Sequence, residues 1–252
     1  MSSSHFLFTE DVFRVEHWHS KIMKVFLMIF FTGWALASYV APPSSDLDNW
    51  EITPFYVKNT SNSLGESLAH SEIDYVDTYA LGLNVGRVVM RDVLDQPLDA
   101  VVTVGTIWHR ENGFQDDFLQ HTVLFKWVWR SFPWDGWVRT IGEVGTGASF
   151  SWRIAKAEQE NRRVGDEGQY KESRNLLNYN EFSLGFNLAD IGELVSGGKN
   201  MDSLEKAWLM MGIVHRSGAW GFWGDGYNPE SGEREGVQGA WNAYYLGVKK
   251  TF

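Results

Sequence analysis

Cysteine is absent from this 252-residue chain, proline is scarce at six residues, and basic residues are outnumbered, 22 Lys+Arg against 32 Asp+Glu. Without cysteine there are no disulfides, no thiolate zinc or iron-sulfur ligation and no cysteine nucleophile. A formal net charge of −10 argues against a nucleic-acid partner, whose counterions must be displaced by clustered Lys and Arg. Long hydrophobic runs are also nearly missing. One stretch, Val25 to Phe31, is strongly apolar, and the chain is polar again by Ser44, Ser45 and Asp46, short of the roughly 20 apolar residues of a membrane-spanning helix. The chain is instead rich in aromatic residues, 15% with 13 Trp, and has 25 Gly, a composition far from that of a disordered polymer.

The apolar stretch follows Lys21 and Lys24 and leads into Ala35-Leu36-Ala37, the layout of a secretory signal cleaved after Ala37. Met23-Lys24 fits the start of such a signal. The expected organisation is an N-terminal extension and cleaved signal over residues 1–37, then one exported domain over 38–252.

Beyond residue 50 no long helical stripe is present, but period-2 segments recur. Tyr79, Leu81, Leu83, Val85 and Val89 share one face, opposite Ala80, Gly82, Asn84 and Gly86. Phe182, Leu184, Phe186 and Leu188 alternate with Glu181, Ser183, Gly185 and Asn187. Val123, Phe125, Trp127 and Trp129 oppose a face carrying Lys126 and Arg130. Val138, Val144, Ala148, Phe150 and Trp152 oppose Arg139, Glu143, Ser149 and Ser151. Less regular segments at Trp50 to Lys58, interrupted by Pro54, Ala100 to Arg110, Glu205 to Ser217 and Ala240 to Phe252 bring the expected count to eight strands. Long polar connections at 59–76, 154–177 and 218–238 contrast with short ones at 91–99 and 132–136, and 189–204 has room for a short helix.

A soluble barrel turns its apolar face inward around a ligand, whereas a membrane barrel turns it outward to lipid. Charged positions opposite the apolar face (Lys126, Arg130, Arg139, Glu143) suit a narrow lumen with internal ion pairs, and Trp108, Trp129, Trp134, Trp137, Trp152, Tyr179 and Tyr244 near strand ends suit interfacial girdles. A terminal strand with Tyr244, Leu246, Val248 and a final Phe252 resembles the assembly signal of bacterial outer-membrane proteins. The expected fold is therefore all-β, an eight-stranded antiparallel transmembrane β-barrel of the bacterial outer membrane. Eight strands leave no open pore, so a general channel is not expected.

On Glu205 to Ser217, the face of Ala207, Leu209, Met211 and Ile213 continues into His215 and Ser217. Residues two apart on a strand share a face about 7 Å apart, within reach for a base and a nucleophile. The segment Ile213-Val214-His215-Arg216-Ser217-Gly218-Ala219-Trp220-Gly221, followed by Asn228-Pro229 and the terminal strand, resembles the His-x-Ser region of the lipid A 3-O-deacylase and acyloxyacyl-hydrolase-like outer-membrane family, over about the last 50 residues. The resemblance implies a Ser-His pair at the outer leaflet that removes an ester-linked acyl chain from lipid A with no metal or cofactor. Carried over, His215 is the base and Ser217 the nucleophile. Glu230 is favoured as the acidic third member over Asp225, Glu233 and Glu235. Gly218, Gly221 and Asn242 are candidates for the oxyanion hole or substrate binding. Gly218 stands where the family usually has an oxyanion asparagine, which leaves that role to main-chain N-H groups and Asn242.

The expected partners are lipid A or lipopolysaccharide and the outer membrane, with no nucleic acid and with a homodimer left open. In the plainer reading, His215 and Ser217 are ordinary interfacial polar residues on a non-enzymatic structural or partner-binding barrel. A secreted lipid-binding barrel is a third alternative. Asp116-Asp117 and Asp46-Leu47-Asp48 read as solvated loops rather than calcium ligands, Gly82, Gly86, Gly145 and Gly147 as bends or lumen clearances, and the charged run Glu158 to Arg163 as exposed.

Overall fold

A computed structural model describes residues 49–61, 73–160, 163–164, 169–170, 175–198, 200–217, 225–227, 234–236 and 240–252. The proposed signal and the pair Asp46 and Asp48 lie outside the described residues, as do Gly218, Gly221 and Glu230. The described part is a closed barrel of eight antiparallel strands: β1 (Trp50–Thr60), β2 (Tyr75–Met90), β3 (Leu98–Arg110), β4 (Phe118–Trp129), β5 (Thr140–Ser151), β6 (Leu176–Asn187), β7 (Ala207–Ser217) and β8 (Ala240–Thr251). Each strand pairs with its neighbour in sequence, and β8 closes on β1 through pairs running from Glu51↔Thr251 to Thr60↔Asn242. Short two-stranded ribbons at Arg163–Val164 with Gln169–Tyr170 and at Asp225–Tyr227 with Arg234–Gly236 lie in the connections after β5 and β7. The expected helix is α2 (Leu188–Ser196), capped by Asn187; a shorter one, α1 (Lys156–Glu160), follows β5.

Period 2 is read out directly as inside and outside. Leu83, Phe125, Trp127, Val144, Phe182, Leu184, Met211, Leu246 and Val248 are exposed on the outer surface. Glu51, Asn84, Lys126, Glu143, Glu181 and Lys249 are buried in the lumen. An apolar exterior around a charged interior is the inverse of a soluble ligand-binding barrel and defines a membrane-spanning one. Short connections at 91–97 and 130–139 share an end of the barrel with both chain ends of the barrel domain; this is the periplasmic end.

Several expectations are corrected in detail. Pro54 interrupts one ladder only: the β1–β8 pairing skips Thr53 and Pro54 between Ile52↔Lys250 and Phe55↔Gly247, while β1 runs unbroken from Trp50 to Thr60 and pairs with β2 at Pro54↔Leu83. Leu188 begins α2 instead of ending β6, and Val138 precedes β5. Tyr179 is no girdle residue: it is buried in the lumen, its ring 6.2 Å from that of Trp241. Arg130 and Arg139 are not lumenal either. Arg130 pairs with Asp99 at 3.0 Å, and Arg139 clamps Asp190 of α2 at 2.8 Å, both at the periplasmic end.

The lumen is filled in three layers. Nearest the periplasm, Lys126 contacts Glu181 at 2.6 Å and Glu143 at 3.5 Å, and Lys249 contacts Glu51 at 2.7 Å and also Glu143. Tyr245 donates to Glu181 at 3.2 Å, so this cluster joins β1, β4, β5, β6 and β8. Gly82 and Gly86 are clearances in the lumen wall, the second of them beside this cluster. A Cβ at Gly82 would strike the Phe55 ring, and one at Gly86 would lie 2.6 Å from the Glu51 side chain. Above it Trp241 donates to Asn59 at 2.9 Å, and His109 stacks on Phe118 with centroids 4.5 Å apart. The outermost layer is formed by Arg216 and Glu158.

Candidate active site on the outward face of β7

Alternation along β7 sends Met210, Val214 and Arg216 inward and leaves Met211, Ile213, His215 and Ser217 outward, as the sequence pattern requires. His215 and Ser217 thus share the lipid-facing side at the outer end of the strand. Register supplies their neighbours. His215 lies opposite Asn180 on β6 and Asn242 on β8; Ser217 lies opposite Asn178 and Ala240. The apolar row of β6, Phe186, Leu184 and Phe182, therefore becomes amide at Asn180 and Asn178 where it reaches this pair.

Asn242 is fully buried although it stands on the outward row, and its Oδ1 lies 2.6 Å from His215 Nδ1. A carbonyl oxygen only accepts, so the imidazole donates through Nδ1 and its lone pair is on Nε2. Asn242, a candidate for the oxyanion hole, meets the histidine through its carbonyl oxygen. Asn180 Nδ2 donates to Asn178 Oδ1 at 2.5 Å, and Asn178 Nδ2 donates to Gly147 O at 3.0 Å. The apolar alternation that marks this strand in the sequence begins only at Phe182, so these two asparagines carry no apolar signal of their own. Extending the same period outward by two residues and then two more reaches both.

Behind the strand, on the lumen side, the charged run expected to be exposed contributes a buried residue. Glu158 and Arg216 are each 1% exposed at the side chain and pair at 2.5 Å. Arg216 Nε also donates to Ser149 Oγ at 2.9 Å, and Nη2 to the Asn175 carbonyl at 2.9 Å. Glu111, just past β3, accepts from the Lys156 N-H at 2.8 Å; burial pushes its carboxyl above the usual carboxylate range. Asp116 and Asp117 are held by Arg153 and Arg110 at 2.8 and 3.0 Å.

Fold and surface together define an eight-stranded transmembrane β-barrel of the outer-membrane type, with a polar histidine-asparagine-serine patch on its lipid-facing side. No family model matches the sequence, and no curated protein sequence matches it. Among solved structures it is similar to the N-terminal β-barrel domain of Pseudomonas aeruginosa OprF, with TM-score 0.42 and 8% identity, covering 81% of this chain and 98% of that one. It is also similar to the Pseudomonas aeruginosa outer-membrane protein OprG, with TM-score 0.31 and 13% identity, covering 81% and 96%.

Proposed function

We propose that the chain is a serine esterase of the bacterial outer membrane that removes an ester-linked acyl chain from lipid A in the outer leaflet. The observation that carries this reading is the His215–Asn242 hydrogen bond on the lipid-facing surface, with Ser217 two residues along on the same face. A polar group on that surface is unfavourable near the hydrocarbon, and a histidine with its Nδ1 committed to an amide carbonyl has the arrangement of a base in a Ser-His or Cys-His-Asn triad.

In the proposed reaction Ser217 Oγ attacks the acyl carbonyl while its proton passes to His215 Nε2. The tetrahedral intermediate carries its charge on the former carbonyl oxygen, where main-chain N-H groups after Ser217 and the amides of Asn178 and Asn180 are the candidate donors. Collapse breaks the bond to the sugar oxygen, which takes the proton from Nε2. Water, deprotonated by His215, then releases the fatty acid and restores Ser217. Asn242 keeps the imidazole in the required tautomer throughout, so the scheme runs without Glu230.

Mass spectrometry of lipid A from cells making the protein is the test. The expected result is loss of one ester-linked acyl chain with the native protein, and intact lipid A with Ser217→Ala, His215→Ala or both, since nucleophile and base act as a unit. Deacylated lipid A from a correctly folded Ser217→Ala barrel would remove the mechanism. In the competing reading the chain is a non-enzymatic barrel, its charged cluster filling the lumen and His215 and Ser217 ordinary interfacial polar residues. Unchanged lipid A with the native protein would support it.

A further inference from the structure

We propose that Glu158, acting through Arg216, is a positioning residue for His215 and Ser217; the inference rests on the esterase reading. Arg216 lies between the two outward residues and points the opposite way, so the backbone that presents the pair to lipid is held from inside the barrel. Its planar fork is occupied on three sides, by Glu158 Oε2 at 2.5 Å, Ser149 Oγ at 2.9 Å and the Asn175 carbonyl at 2.9 Å. A guanidinium engaged in this way has a fixed plane and direction, which a single point contact would not impose.

The segment that delivers Glu158 is itself anchored. Lys156 N-H donates to Glu111 Oε2 at 2.8 Å, and Gln115 Nε2 donates both to Glu111 Oε2 at 3.0 Å and to the Ile154 carbonyl at 2.7 Å. Ala155 and Ala157 are buried in the lumen core. The chain after β5 therefore turns into the outer mouth and is fastened to the β3–β4 connection before it reaches Arg216. This fastening matters where it acts, because Ser217 closes the described part of β7, and its pairs with Ala240 and Asn178 are the outermost among the described residues. Strand ends open at small free-energy cost. A reacting group displaced by about 1 Å loses on the order of 100-fold in rate. A buried ion pair contributes little net stability compared with apolar groups of the same volume, so geometry is the property this pair supplies.

The test uses the full chain refolded in detergent micelles, assayed on lipid A, with Glu158→Gln, Glu158→Asp and the double change Glu158→Met with Arg216→Met. Folding is read by heat-modifiable migration and local order by amide hydrogen exchange. The expected result for Glu158→Gln is a fall in kcat of about 10-fold to 100-fold with KM within about twofold, and faster exchange at His215, Arg216 and Ser217 with Met210 to Gly212 unchanged. Glu158→Asp, which restores the charge, should recover part of kcat. The double change should fold as the native barrel does and be as slow as Glu158→Gln. Native kcat and native exchange in Glu158→Gln would overturn the proposal, as would exchange raised evenly along β7, which marks a merely structural role. A native barrel that hydrolyses no ester would overturn the esterase reading instead, and the exchange at residues 215–217 would then decide alone whether Glu158 fixes that strand end.

Discussion

Asn242 shows what a single side chain owes to register. In the sequence it is a polar residue on the otherwise apolar row of the last strand, and that oddity is legible; its partner is not, because which residue of β7 it faces is set by how two strands align. The alignment puts it opposite His215, with Oδ1 2.6 Å from Nδ1. On the proposed esterase reading, Asn242→Ala should lower kcat on the order of 100-fold by freeing the imidazole to misalign, while Asn242→Asp, which still accepts from Nδ1, should retain most of it. Initial rates at saturating and limiting lipid A measure both, and equal activity of Asn242→Ala and the native protein would remove the orienting role. Glu158 failed to stand out for a related reason. A charged run carries no mark of a member that meets a buried arginine 58 positions away.

At the scale of elements, all eight strands were legible because a lipid-facing barrel writes its two environments into alternate residues. Where that alternation is weak, so was the reading: the outer ends of β2 and β6 and the start of β4 extend further than their apolar residues suggest. The inside-outside assignment makes a sharp comparison on β2. Leu83 is 47% exposed on the outer surface, whereas Asn84 is buried with its amide 3.5 Å from Glu181. Leu83→Lys should cost roughly 2 to 4 kcal/mol near the midplane, while Asn84→Lys, which meets a lumen with surplus carboxylate, should cost less. The urea midpoint of folded migration in detergent distinguishes them, and equal tolerance would contradict the membrane orientation. On the periplasmic side, the guanidinium of Arg139 hydrogen-bonded to Asp190 holds that carboxyl below its usual value. A depressed carboxyl contributes stability above the unfolded-state pKa, and the contribution disappears as pH falls through the folded value. Amide protection of α2 should therefore drop on acidification below the ordinary aspartate range, earlier than that of the barrel strands, and Asp190→Asn should flatten this dependence.

The barrel is closed and filled by interactions that join strands distant in sequence, and this is the part the sequence conceals most. Lys126 and Glu143 were recognisable as lumenal, but Glu51, Glu181 and Lys249 complete the cluster from strands whose alternation says only that they point inward. Closure itself rests on the first and last strands. The Phe252 carbonyl accepts from the Asn49 and Trp50 N-H groups at 2.9 and 3.3 Å, and the Phe252 N-H donates to Trp50 at 2.9 Å, so deleting Phe252 should lower the yield of folded, heat-modifiable barrel. The charge cluster gives the more discriminating expectation. It holds two lysines against three glutamates, all buried, with Lys249 placed between Glu51 and Glu143 and Lys126 between Glu143 and Glu181. Lys249→Met removes the lysine contact of Glu51 and raises the surplus from one negative charge to two, and removing one partner of a buried pair costs about 3 to 5 kcal/mol. Adding Glu51→Gln returns the surplus to one while leaving the volume nearly unchanged, so Lys249→Met with Glu51→Gln should recover a large part of that loss. The two substitutions touch the same buried group, and their effects are expected to be strongly non-additive. Urea midpoints of the native barrel, the two single variants and the double variant form the cycle. If Lys249→Met proved as stable as the native barrel, or the second change brought no recovery, the charges would be passengers in a lumen held together by its aromatic layer and backbone ladder alone.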